Sequence, residues 1–273
     1  MIHVMLDGYQ GNETRLDDIK AVNSVLNQIV ASLGLQSVMP PFLLPYYYAS
    51  DSEDDGISAF VILAGGHITI HTFPRRGCLF VDLLYDGYFD INRLRMILSG
   101  NFLYTDEKVV RTERRFTDVA LSENDIWRGG EANHDFGPHI IARIDNVDSL
   151  SFENIFDMLD VLPGKINMLP ICRPYVIKTS RSSPLPYISG VVLIAQSHIA
   201  FHYSVKEKVL FCDLFSCSFY KSEMFISYLE EKFGNNIEHI TLIRGSKHDK
   251  QITDKALRRA IMGNWMNNIG EVK

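Results

Sequence analysis

No two of the four cysteines, Cys78, Cys172, Cys212 and Cys217, form a CxxC pair, so neither a zinc ribbon nor a disulfide framework is suggested. No apolar run approaches the length of a membrane span. The opening Met1-Ile2-His3-Val4-Met5-Leu6-Asp7 has no basic segment and no long apolar stretch, so no signal peptide is expected. Positive charge is also in deficit. Lys and Arg number 27 against 33 Asp and Glu, for a net charge of -6, which argues against a primary nucleic-acid binder but leaves a cationic small substrate open. The 273 residues, 46% hydrophobic and 22% charged, suffice for a buried core. The expectation is a cytoplasmic protein with free thiols, no nucleic-acid partner and no membrane partner.

What the sequence does contain is a duplication. Gly66-His67-Ile68-Thr69-Ile70-His71 returns 131 residues later as Ser197-His198-Ile199-Ala200-Phe201-His202. In the same ungapped register Ser58 matches Ser189, Val61 matches Val192, Ala64 matches Ala195, Leu79 matches Leu210, Phe80 matches Phe211, Asp82 matches Asp213 and Leu83 matches Leu214. Such a period points to repeated structural units. The boundaries expected are a first repeat over 1–116, a polar, glycine-containing linker over 117–136, a second repeat over 137–248 and a C-terminal tail helix over 249–273.

Each repeat opens on a strand, at 2–6 and 139–144. A helix follows, with Leu16, Ile19, Val22, Leu26, Ile29, Val30 and Leu33 at helical spacing, a capping pair at Thr14 and Asp17, and a stop at Gly34. Its shorter counterpart runs behind Ser151. Two apolar runs then read as a hairpin, 59–73 with 78–85 and 190–203 with 208–216, before a second helix ended by Gly100 or Gly234 and a last strand at 107–112 or 237–243. The fold class expected is α+β, an αββα sandwich: two antiparallel sheets packed face to face with helices outside.

The run from Ser189 to His202, followed by Cys212-Asp213-Leu214-Phe215-Ser216-Cys217, resembles the prokaryotic S-adenosylmethionine decarboxylases. The features that carry the resemblance are Ser197, a histidine five residues after it (His202), a cysteine twenty after it (Cys217) and a serine eight before it (Ser189). The resemblance implies a proenzyme that cuts itself between Gln196 and Ser197, leaving a pyruvoyl group derived from Ser197 as its cofactor. That ketone forms a Schiff base with a substrate amine and serves as the electron sink for decarboxylation. It also implies roles for Ser189 in the ester stage, for His202 as the base in the elimination, and for Cys217 as the acid that returns a proton to substrate. The product would feed spermidine and other polyamine synthesis.

Read by residue type alone, a strand serine is a half-buried hydroxyl, and a buried cysteine such as Cys212 is a small hydrophobe. His198 and His202 share a strand face, but no third ligand cluster stands out, so no metal is expected. His67 and His71 read as packing relics of a repeat that has lost its serine.

The first repeat carries Gly66 in place of the serine and Asp86 in place of the cysteine, so it cannot cut itself. In single-copy members of the family two protomers pair and lend each other residues. By that resemblance the two repeats pair within this chain, as a monomer or a dimer, and the first supplies substrate contacts. The lent segment is usually His-Thr-Trp-Pro-Glu; here it is His71-Thr72-Phe73-Pro74-Arg75. Phe73 is expected to stack on adenine. Arg75 cannot accept from ribose hydroxyls, and is expected to bind a substrate carboxylate or to face solvent at a turn. The substrate implied is S-adenosylmethionine. Ornithine or arginine, or a non-catalytic paralogue that is never processed, are the alternatives.

Overall fold

The structure, a computed structural model, describes residues 1–47, 52–114, 137–179, 186–195, 197–217, 220–235 and 237–244. The expected linker at 117–136 and the tail helix at 249–273 lie outside the described residues, as does Gln196.

Six strands come from the first repeat: β1 (Ile2–Tyr9), β2 (Phe42–Tyr47), β3 (Gly56–Leu63), β4 (Gly66–Phe73), β5 (Cys78–Tyr85) and β6 (Asp106–Glu113). The second repeat supplies β7 (Pro138–Ile144), β8 (Tyr175–Lys178), β9 (Tyr187–Ile194), β10 (Ser197–Ser204), β11 (Val209–Phe215) and β12 (Ile237–Ile243). The first sheet is ordered β2-β3-β4-β5-β1-β6 and the second β12-β7-β11-β10-β9-β8, the same order read from the other edge. All the pairings are antiparallel.

Each sheet is covered on its outer face by helices. Helices α1 (Glu13–Leu16), α2 (Ile19–Ser32) and α3 (Ile91–Phe102) belong to the first repeat, α4 (Phe152–Lys165) and α5 (Ser222–Phe233) to the second. The helix-side cores are aliphatic: Val22, Leu26 and Ile29 pack with Val61, Ile70 and Val81 in one, Ile155, Leu159 and Leu229 with Val192, Phe201 and Leu214 in the other. Burying one such side chain stabilises by about 1.5–3 kcal/mol. The αββα sandwich expected from the sequence is the observed architecture.

Three local expectations change. The first helix is split, with Asn12 capping α1 and Asp18, not Thr14 and Asp17, capping α2 through the N–H groups of Lys20 and Ala21. Helix α3 runs past Gly100 to Phe102. Each long apolar run, 59–73 and 190–203, is two strands rather than one, with a tight turn after Leu63 and after Ile194. The expected hairpin is therefore the second half of a three-strand meander. The edge strands β2 and β8 were not expected. One contains Pro45 and the other has only 4 residues, both traits of sheet edges.

Candidate active site

The turn that divides β9 from β10 is where the expected cut falls. Ala195 lies in it and Ser197 opens β10. Strands β10 and β11 pair with His198 opposite Phe215, so the chain leaving β11 comes back beside the start of β10. That register explains the twenty-residue spacing. The Cys217 backbone N–H donates to Ser197 Oγ at 2.8 Å, and Cys217 Sγ lies 3.2 Å from the Ala195 carbonyl oxygen. Ser197 Oγ is 3.5 Å from that same carbonyl. A cavity of about 180 Å³ opens on Ser197, with Asn167, Ala195, Ser216 and Tyr220 among its walls.

Strand alternation decides which histidine can share this end of the molecule. Ile199, Phe201 and Tyr203 enter the helix-side core, so His198, Ala200 and His202 face the other sheet. His202 sits about 16 Å farther along β10, at about 3.3 Å per residue. Its Nδ1 is 2.9 Å from Ser189 Oγ, and its Nε2 is 2.7 Å from His67 Nδ1 on the opposite sheet. The corresponding set of the first repeat lies at the Ser197 end. There Ser58 Oγ is 2.9 Å from His71 Nδ1, and His71 Nε2 is 3.0 Å from His198 Nδ1, with the two rings stacked at 9°. His71 also lies 5.8 Å, ring to ring, from Phe215.

The sandwich thus exchanges half-sites. It places Ser58 and His71 of the first repeat against His198, the residue after Ser197, and Ser189 and His202 against His67, the residue after Gly66. The expectation that Ser189 and His202 stand beside Ser197 is corrected here, because β4 and β10 cross with opposite polarity. His71 is a member of a hydrogen-bonded chain rather than a packing relic.

Phe73 lies fully buried in a cluster with Tyr9, Cys78, Phe80 and Phe215, and Cys217 packs against that cluster. Its ring meets Phe80 edge-on at 5.5 Å. Arg75 is exposed on the short helical turn Pro74–Arg76, within electrostatic reach of Asp17.

A family model described as S-adenosylmethionine decarboxylase matches residues 2–115 and 156–245. The chain belongs to the S-adenosylmethionine decarboxylase family. Relatives named "S-adenosylmethionine decarboxylase proenzyme" include one from Thermosipho melanesiensis, 25% identical over 129 residues, covering 45% of this chain and 90% of the relative. Another, from Fervidobacterium nodosum, is 31% identical over 134 residues, covering 48% of this chain and 91% of the relative. The crystal structure of the adenosylmethionine decarboxylase from Aquifex aeolicus matches 41% of this chain and 92% of its own, at 21% identity and a TM-score of 0.35. Each relative is matched nearly whole by less than half of this decarboxylase-family chain.

At the Gly66 end the mirror-related position is closed. A Cβ on Gly66 would lie 1.8 Å from the Leu84 carbonyl oxygen, and Asp86, in the place of the cysteine, accepts from the Tyr187 hydroxyl at 2.8 Å. Restoring the serine is therefore expected to fail. Gly66→Ser should destabilise the chain by about 1–3 kcal/mol through overpacking and give no second cut. A thermal melt and intact mass check this, and a new fragment ending at Gly65 would contradict it.

Between the sheets lies a buried polar centre. Arg244, following β12, reaches into the first sheet and donates to Asp7 at 2.7 Å, to Asp82 at 2.6 Å and to the carbonyls of Leu6 and Val81. Arg114, following β6, mirrors it by donating to Asp213 at 2.8 Å and to the carbonyls of Ala142 and Cys212. These arginines escaped the sequence reading, although the repeated Asp82 and Asp213 announced a buried carboxylate in need of a cation. His3, Asp82 and His139 bring three ligand-type atoms within 4.8 Å of one another. Arg244 Nη1, however, already donates to Asp82 Oδ1 and lies 3.3 Å from His139 Nδ1, so a guanidinium stands where a metal cation would.

Burial pulls His67 down to about 4 and His71 to about 3, and lowers His139, His198 and His202 as well. Burial, the largest single influence, would raise Asp82 and Asp213; the guanidiniums of Arg244 and Arg114, together with the surrounding histidines, outweigh it and hold both well below the usual carboxylate range. The sign follows from proton uptake. Unfolded imidazoles bind protons near pH 6.5 and the buried ones do not, so stability should fall as pH drops from 6.5 towards 4. Each histidine contributes up to about 1.4 kcal/mol per pH unit. The two aspartates stay ionised in the folded chain through that window and add their own loss from about pH 5 downwards, where the unfolded carboxylates begin to take up protons. Denaturant midpoints at pH 7 and pH 5 check this, and equal midpoints would refute it.

Proposed function

We propose that this chain is a self-cleaving, pyruvoyl-dependent decarboxylase of S-adenosylmethionine with one site per chain, assembled from both repeats. The observation that carries the reading is the contact of Ser197 Oγ with the Cys217 N–H at 2.8 Å in the turn ahead of β10. Family membership supports it, as do Gly66 and Asp86 at the mirror-related end.

In this reading Ser197 Oγ adds to the Gln196 carbonyl carbon, and the peptide C–N bond gives way to an ester and a free amine. The N–H of Cys217 holds the hydroxyl oxygen in place. His71, acting through the Ser58 hydroxyl that its Nδ1 accepts from, removes the Ser197 α-proton, the Gln196 carboxylate leaves, and a dehydroalanine remains. Water adds, ammonia departs, and the new terminus carries a ketone. That ketone supplies an electron sink for loss of carbon dioxide from an α-amino acid. Cys217, half-buried beside the same turn, is the proton donor to the substrate carbon. Phe73 forms part of the buried wall behind Cys217, and Arg75 stays outside it. The polyamine-directed role and a cytoplasmic location follow from the same reading.

Intact mass of the purified chain, followed by carbon dioxide release from S-adenosylmethionine, ornithine and arginine, tests it. Two fragments divided at 196/197 and release from S-adenosylmethionine are the expected results. A full-length chain would favour the unprocessed paralogue, and release from ornithine or arginine alone would move the substrate.

A further inference from the structure

The repeats correspond at the level of serine and histidine but not in how close a carboxylate lies behind them. At the Ser197 end a hydrogen-bonded file runs Ser58, His71, His198, and the carboxylate of Asp82 lies beyond it at ion-pair rather than hydrogen-bond distance. Its separations are 2.9 Å from Ser58 Oγ to His71 Nδ1, 3.0 Å from His71 Nε2 to His198 Nδ1, and 3.9 Å from His198 Nε2 to Asp82 Oδ2. All four side chains are fully buried. At the Gly66 end the file runs Ser189, His202, His67 and stops. Among the described residues His67 Nε2 and His198 Nε2 alike have no hydrogen-bond partner, and what separates them is that no carboxylate oxygen lies within 4.0 Å of a His67 ring nitrogen, Asp213 acting on it from farther away. The asymmetry falls on the side where the serine and cysteine are retained.

A file of this kind fixes tautomers. Asp82 is ionised by its contact with Arg244, and its Oδ2 faces His198 Nε2 in a dry interior where charge acts strongly. That favours the proton on His198 Nε2 and leaves Nδ1 as an acceptor. His71 must then carry its proton on Nε2 to donate to His198, so His71 Nδ1 is the acceptor for the Ser58 hydroxyl. Without the carboxylate either direction would serve, and His71 would divide between tautomers. We propose that His198 and Asp82 are positioning residues that hold His71 as the Nε2–H tautomer, with its Nδ1 lone pair directed at Ser58, across the junction of the two repeats. The charged and titratable groups facing His198 are Asp82 from β5, His71 and His67 from β4, and His139 from β7. This inference rests on His71 being the base in the proposed function.

Two measurements separate the inference from that reading. Nitrogen-15 spectra of histidines in the full-length Ser197→Ala chain report tautomers with no chemistry taking place. The expected result is Nε2–H for both His71 and His198; Nδ1–H at either overturns the inference. Cleavage of freshly translated full-length chain is then followed from pH 6 to 9. His198→Ala should slow it about tenfold or more, a share of the 10²–10⁴-fold that a positioned base supplies. His198→Asn, whose amide oxygen can accept from His71 in place of Nδ1, should restore most of the rate. Asp82→Asn should slow cleavage and shift its pH profile in chain that still melts cooperatively. Wild-type rates in His198→Ala beside a dead His71→Ala would sink the positioning role alone, whereas wild-type rates in His71→Ala would sink the base assignment itself.

Discussion

Replacing His71 with alanine is expected to leave the purified chain as one uncut species of 31.1 kDa, while replacing His202 is expected to leave cleavage at Ser197 in place. The first effect should be large, because a positioned base contributes about 10²–10⁴-fold and His71 is the first-sheet histidine within hydrogen-bond distance of His198. The second should be small in rate, because His202 stands about 16 Å along the strand and is engaged with Ser189 and His67. Its removal costs stability at the Gly66 end instead, since it leaves a buried His67 Nδ1 without its 2.7 Å partner. The comparison is made on intact mass after a fixed time at one temperature, alongside a melting curve for each variant. Blocked cleavage in His202→Ala together with normal cleavage in His71→Ala would reverse the half-site exchange and with it the assembly of the site from both repeats.

The histidines show how far the sequence carries and where it stops. The correspondence of Ser58 with Ser189 and of His71 with His202 is readable from the repeat, and the association of Ser197 with Cys217 is implied by the family resemblance. Which histidine meets which serine is not, because that depends on two sheets crossing face to face with β4 and β10 running oppositely, a relation carried by no local pattern. The turn at Ala195 was hidden for a different reason. The stretches Gly190–Ala195 and Ile199–Phe201 are apolar on both faces, and the polar Gln196-Ser197-His198 between them carries no glycine or proline to mark where the backbone reverses. Arg114 and Arg244 each sit one residue beyond an edge strand of mixed exposure and look like solvent-facing ends. Only the sandwich turns them inward over Phe211 and over Phe80 and Phe215.

Those arginines carry the largest stability effect expected of any single substitution described here. Arg244→Met should lower stability by about 3–5 kcal/mol, the cost of leaving a buried carboxylate without its cation. For a chain of this size that is a fall of about 6–20 °C in melting temperature. The methionine keeps much of the apolar stem packed on Phe215, so the loss reports charge rather than volume. It should be partly recovered by Asp82→Leu in the same chain, because removing both charges abolishes the desolvation cost that removing one exposes. Arg114→Met with Asp213→Leu should behave alike at the mirror-related contact. Because the guanidinium of each repeat is bound to the sheet of the other, the single variants should also loosen the registry that sets His71 against His198. Cleavage should therefore slow in Arg244→Met even at temperatures where the chain is folded. A melting temperature within about 3 °C of wild type for Arg244→Met would mean that water or rearrangement satisfies Asp82, and that the arginines do not hold the two half-sites together.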